Sequence, residues 1–140
     1  MNSILSKCKR CLIVDDNEHM IEIVRAVLEA FGMHGIAGEP DPKRAFELFQ
    51  EHGAGLLIVD YHLGDSNGIQ FVARVRNLKD PEKARVPIVM MTSYTEQSRV
   101  MAAREAGVDA FVRKPITGRD LYERIAFALS RSIIIADVGN

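Results

Sequence analysis

The sequence predicts an α/β domain: a doubly wound, five-stranded parallel sheet of order 2-1-3-4-5, packed as a three-layer sandwich. Three observations carry this. First, four apolar runs each end at a polar residue: Cys11–Val14 before Asp15 and Asp16, Leu56–Val59 before Asp60, Pro87–Met91 before Thr92, and Ala110–Arg113 before Lys114. Strands buried on both faces read as continuous apolar runs, whereas half-exposed strands alternate. Second, a stretch with apolar residues at helical spacing follows each run. Third, glycines and Asp-Pro pairs punctuate the chain between them. Alternating strands and helices with right-handed crossovers give a parallel sheet covered on both faces. The switch point then falls between strands 1 and 3, where ligands of open α/β sheets bind beyond the strand carboxyl ends.

The elements follow in order. After the first strand, Asp16 or Asn17 caps a helix that runs to about Phe31, with Met20, Ile21, Val24, Val27, Leu28 and Phe31 on its apolar face. Gly32 ends it. A weak second strand covers about Met33–Ala37. Asp41-Pro42 opens a second helix, with Ala45, Phe46, Leu48 and Phe49 inward, ending near Gly53. The third strand is Leu56–Asp60. A loop from Tyr61 to Gly68 leads to a helix carrying Ile69, Phe71, Val72 and Val75, and Asp80-Pro81 marks a turn. After the fourth strand, Thr95 can cap a helix that Gly107 stops. The fifth strand is Ala110–Arg113. A last helix spans about Thr117–Arg131, with Leu121, Ile125, Ala128 and Leu129 inward. The expected division is an N-terminal extension (1–9), a globular domain (10–131) and a C-terminal tail (132–140) containing Ile133-Ile134-Ile135.

The 140 residues suit one domain, and 47% hydrophobic with 26% charged residues is ordinary for a soluble one. A net charge of −1 gives no electrostatic case for nucleic acid. No apolar stretch is long enough for a membrane span, and the N-terminus lacks the apolar core of a signal peptide, so a cytoplasmic location is the default. Cys8 and Cys11 form a C-x-x-C, but no second pair completes a zinc site, and the motif leads into a strand instead of following one. Both read as packing residues. The four histidines show no ligand spacing.

At the sheet's carboxyl edge, three carboxylates, a hydroxyl and an ammonium are expected to meet. Asp15 and Asp16 with Asp60 suit a hard divalent cation that wants oxygen ligands, Mg²⁺ or Mn²⁺. Asp60 can act as a nucleophile toward phosphorus and form an acyl phosphate. Lys114 is a compact cation for a phosphoryl oxygen, and Thr92 a neutral donor to another. Three negative charges against Mg²⁺ and Lys114 balance.

Taken together, Leu12-Ile13-Val14-Asp15-Asp16-Asn17, Leu57-Ile58-Val59-Asp60, Gly68, Met91-Thr92-Ser93 and Lys114-Pro115 make the chain resemble the receiver domain of bacterial two-component signalling over about residues 10–130. The resemblance implies a flavodoxin- or CheY-like fold and a phosphoacceptor at Asp60. It implies metal held by Asp15, Asp16, Asp60 and the backbone carbonyl of His62, and a cis Lys114–Pro115 bond. Thr92 and Phe111 would act as the switch, and His62 and Tyr94 would tune dephosphorylation, the bulk of Tyr94 making it slow. Implied partners are a histidine kinase or histidine phosphotransfer protein, and an unknown downstream protein. That target, or a second copy in a homodimer, would bind the face of the fourth helix, fifth strand and fifth helix, where Arg99, Arg104, Arg113, Arg119 and Arg124 gather. Two departures stand out. Gly64 replaces the proline often found four residues after the phosphoacceptor, and Phe111 replaces a frequent tyrosine.

Other functions weigh less. A phosphate sink without a direct target uses the same chemistry. An aspartate-nucleophile phosphohydrolase wants a second aspartate two residues after the first, where His62 stands. A flavin site would need a phosphate-cradling loop where Asp15 and Asp16 repel phosphate. The chain is therefore expected to be no enzyme beyond Mg²⁺-dependent self-phosphorylation and self-dephosphorylation.

Overall fold

The computed structural model describes residues 4–93 and 97–138. One 3-10 turn (Leu5–Lys7) precedes β1 (Cys11–Val14), α1 (Glu18–Ala30), β2 (Ile36–Glu39), α2 (Pro42–His52) and β3 (Leu56–Asp60). A small hairpin, β4 (His62–Leu63) and β5 (Ser66–Asn67), leads into α3 (Gly68–Arg76) and a single helical turn, α4 (Pro81–Ala84). Then come β6 (Ile88–Thr92), α5 (Gln97–Ala106), β7 (Ala110–Arg113) and α6 (Gly118–Val138). The main sheet is parallel throughout, in the order β2-β1-β3-β6-β7. With β6 and β7 as fourth and fifth strands, this is the expected 2-1-3-4-5 topology.

Every residue of β1, β3 and β6 is buried. Successive side chains of a strand point to opposite faces, so each run feeds two cores. Ile13, Ile58 and Met91 pack under α1 and α6 with Val24, Leu28, Leu121 and Ile125. Val14, Val59 and Met90 pack under α2 and α3 with Phe46, Phe49, Phe71 and Val75. A run feeding both layers has no position for a polar residue until the strand leaves the sheet.

The helix starts follow from their caps. Asn17, not Asp16, caps α1, its side chain accepting from the N–H groups of His19 and Met20. Asp41 caps α2, with Pro42 in the first turn. Asn67 and Gln70 form a reciprocal capping box on α3.

Five features differ from the sequence expectation. The second strand begins at Ile36 rather than Met33, because Met33 is fully buried and Gly35 takes a φ of +70°, so extended pairing starts only after it. The loop after β3 folds into the β4–β5 hairpin. The Asp80-Pro81 turn is a helical turn, since the Asp80 side chain caps Glu82 N–H. The last helix continues past Arg131 to Val138, so residues 132–138 extend α6. Finally, Leu5 in the N-terminal extension is completely buried and belongs to the α1–α6 core. The expected Thr95 cap and Tyr94 lie outside the described residues.

Candidate functional site

Strand register brings the candidate residues together. Val14 pairs with Val59, Asp60 with Met91, and Thr92 with Arg113. The residues at or just beyond these positions are Asp15 and Asp16, Asp60, Thr92, and Lys114. They share one edge of the sheet. The crossovers diverge there, since β1 and β3 are neighbours whose following helices pack on opposite faces.

Ligand oxygens of Asp15, Asp16 and Asp60 all lie within 4.8 Å of one another. Asp15 is fully buried and Asp60 is 4% exposed, while Asp16 faces solvent. Asp15 Oδ1 accepts the Asn17 N–H at 2.9 Å. Asp60 Oδ2 accepts the His62 N–H at 3.2 Å, and Asp16 Oδ2 accepts the Gly64 N–H at 3.2 Å. The Lys114 ammonium sits 2.8 Å from Asp60 Oδ1 and 3.6 Å from Asp15 Oδ2. Lys114 is held by its own backbone, whose N–H donates to Thr92 O at 2.8 Å, and its bond to Pro115 is cis.

Burial, reinforced by the charges of Asp60 and Asp16, pushes the Asp15 carboxyl up to about 6 against the opposing pull of Asn17 N–H and Lys114. Burial alone would lower the Lys114 ammonium, but its hydrogen bond and attraction to Asp60, with Asp15 behind, leave it net raised. Among the described residues, the Lys114 ammonium stands against three clustered acids. Asp15 Oδ2 is buried without a hydrogen-bond donor among the described residues. A buried, under-satisfied carboxylate oxygen facing two more carboxylates is the donor set a hard, oxygen-seeking divalent cation requires, so the residues fit such an ion.

Thr92 is buried at the end of β6, and Phe111 is half-buried on β7. The two line a single small cleft with Tyr61, Met90, Arg99, Val100 and Ala103. The exposed His62 side chain stands beside the half-buried Tyr61, their rings 5.0 Å apart and edge-on. Gly68 is required where it sits: a Cβ there would lie 2.4 Å from the Asp60 carbonyl oxygen.

Some contributions escaped the sequence reading. Gly64 takes φ +66° and gives its N–H to Asp16. A proline could do neither, so this departure adds a donor as well as loosening the loop. Arg99 stacks over Tyr61, with its guanidinium carbon 5.3 Å from the ring centroid. The glycine was legible as a signal; the stacking pair was not. Cys8 and Cys11 are free and lie outside the site, Cys11 buried in the core.

An open α/β sheet whose carboxyl edge carries this acidic cluster beside a buried hydroxyl and a lysine is the arrangement of a signalling receiver. The response regulator receiver domain model matches residues 11–126, and the chain belongs to that family. It is CheY-like. Chemotaxis protein CheY-3 of Vibrio cholerae is 27% identical over 125 residues, covering 89% of this chain and 95% of that one. Chemotaxis protein CheY1 of Helicobacter pylori is 28% identical over 121 residues, covering 86% and 96%. The crystal structure of a response regulator from Chloroflexus aurantiacus superposes with a TM-score of 0.80 at 27% identity, covering 87% of this chain and 98% of that one. Receiver domains are signalling modules of two-component systems rather than enzymes. Among the described residues, no helix is long and apolar enough to cross a membrane.

Proposed function

We propose that this chain is phosphorylated on Asp60 by a histidine kinase or a histidine phosphotransfer protein in the cytoplasm, and signals by binding a downstream protein. The observation that carries the reading is the convergence of Asp15, Asp16 and Asp60 within 4.8 Å, with Lys114 2.8 Å from the Asp60 carboxylate. An Asp60 oxygen attacks phosphorus, an O–P bond forms, and the N–P bond of the donor phosphohistidine breaks, its electron pair returning to the imidazole. Lys114, already aimed at Asp60, transfers its hydrogen bond to a phosphoryl oxygen. Thr92 donates its hydroxyl to another. The backbone N–H of His62 keeps the second Asp60 oxygen oriented. Asp15, Asp16, Asp60 and the His62 carbonyl would hold Mg²⁺ or Mn²⁺, which when bound neutralises charge on the transferring group.

In the switching step, Thr92 moves toward the phosphoryl group and Phe111 turns into the cleft the two share. The face of α5, β7 and α6 changes with them. Arg104, Arg113, Arg119 and Arg124 are exposed there and suit an acidic partner or a second copy of the chain. The proposed functional unit is residues 10–131.

The test is incubation with acetyl phosphate and Mg²⁺ followed by intact-mass measurement. Wild type should gain one phosphoryl group, Asp60→Asn none, and chelation of the metal should abolish the gain. A wild-type mass that never changes would overturn the reading.

A further inference from the structure

Arg99 lies in the first turn of α5, the helix that follows Thr92 after residues 93–96. Its guanidinium carbon is 5.3 Å from the centre of the Tyr61 ring. Tyr61 is the residue immediately after Asp60, and its main chain is pinned on both sides. Its N–H donates to Met91 O at 2.9 Å, and its carbonyl accepts the Gly68 N–H at 2.7 Å. Gly68 is itself packed against Asp60, with no room for a Cβ. The Tyr61 main chain therefore belongs to the sheet edge and not to α5.

The described side chains of α5 are mostly exposed or partly buried. Among its described side chains, 99–106, only Ala103 is buried. The stacked pair is one contact that ties the first turn of α5 to the sheet edge. Tyr61 and Arg99 also form part of the wall of the cleft between Thr92 and Phe111. Arg99 follows Thr92 closely in the chain, so in the proposed switching step a move of Thr92 toward Asp60 would shift Arg99 relative to the Tyr61 ring. In the arrangement observed, Lys114 is spent on the Asp60 carboxylate itself, the pairing that a phosphoryl group would displace.

We propose that Tyr61 and Arg99 form a latch that holds α5 in the arrangement of the bare Asp60–Lys114 pair, so that Arg99 sets how readily the domain adopts its phosphorylated form. This rests on Asp60 being the phosphoacceptor. A cation–π contact at a partly exposed site corresponds to a factor of about 2 to 5 in an equilibrium constant. A ligand selective for the phosphorylated arrangement gains that factor in affinity when the latch is removed, because the competent fraction rises.

The probe is beryllofluoride, a mimic of the acyl phosphate, titrated calorimetrically with Mg²⁺ into the full chain. Arg99→Gln and Tyr61→Leu should each bind it about 2- to 5-fold more tightly than wild type. Tyr61→Phe keeps the ring and should bind it less tightly than Tyr61→Leu does. The double variant Arg99→Gln/Tyr61→Leu should bind no more tightly than either single variant, since both break one contact. Wild-type affinity in Arg99→Gln, or gains that multiply in the double variant, would overturn the latch while leaving the phosphoacceptor reading intact. Absence of any binding by wild type would instead remove the phosphoacceptor reading, and the latch with it.

Discussion

Replacing Asp15 with asparagine should make the metal-free protein more stable. The Asp15 carboxyl is pushed from 3.8 up to about 6, first by burial and then by the Asp60 and Asp16 charges. Its folded value lies above its unfolded one, so the native state holds the proton more tightly. The favourable contribution is complete below 3.8 and is lost as pH rises through about 6. About two units at ~1.36 kcal/mol each make the ionised group cost on the order of 3 kcal/mol at neutral pH. Asparagine has nearly the same shape, keeps an oxygen for the Asn17 N–H, and carries no charge. That net figure already contains the opposing attraction to Lys114 at 3.6 Å, so the gain is about 3 kcal/mol, or roughly 9 °C for a domain of this size. The assay is urea denaturation in EDTA at several pH values. The advantage should be full near neutral pH and vanish near pH 4, where wild type is itself protonated. A variant no more stable than wild type at neutral pH, or a gain unchanged near pH 4, would refute the reasoning.

Three further outcomes follow from the same geometry. Millimolar Mg²⁺ should raise the wild-type melting temperature by mass action and leave Asp15→Asn almost unmoved, and the wild-type shift should shrink as pH falls through about 6, because ligands must be deprotonated. Arg76→Ala should cost about 3–4 kcal/mol in denaturant unfolding. That guanidinium donates to the carbonyls of Ala84, Val86 and Gly107 and pairs at 3.1 Å with Asp109, whose same carboxylate oxygen accepts the Ile88 N–H. Gly68→Ala should cost about 2–3 kcal/mol and slow phosphorylation by acetyl phosphate, because a Cβ 2.4 Å from Asp60 O and 2.9 Å from Met90 Cε forces the phosphoacceptor strand to shift.

How much of this was legible in the sequence depends on where each residue sits. β1, β3 and β6 were readable because they are buried on both faces, which excludes polar residues from the run itself and delivers one at its end. β2 is an edge strand with no fully buried residue, so its start depends on the left-handed Gly35 rather than on hydrophobic pattern. The convergence of Asp15, Asp16, Asp60, Thr92 and Lys114 was readable because parallel register places the strand ends side by side. Contacts made by loops were not. The Gly64–Asp16 hydrogen bond joins residues 48 apart, and the Tyr61–Arg99 stack joins a loop to a helix. Neither has a periodic signature. Leu5 sits with Ile4 in a short segment without helical or strand periodicity, and only the packing reveals its place in the core. The last helix was expected to end near Arg131, yet no glycine or proline follows until Gly139 and α6 runs on to Val138.

The central claim is that these five side chains serve one phosphoryl group on Asp60. Treating the acetyl-phosphate-labelled chain with borohydride reduces an acyl phosphate to an alcohol, and peptide mass mapping then locates it. Homoserine at position 60 and nowhere else is the predicted result. Reduction at another carboxylate, or phosphate on a hydroxyl or imidazole while residue 60 remains aspartate, would contradict the account.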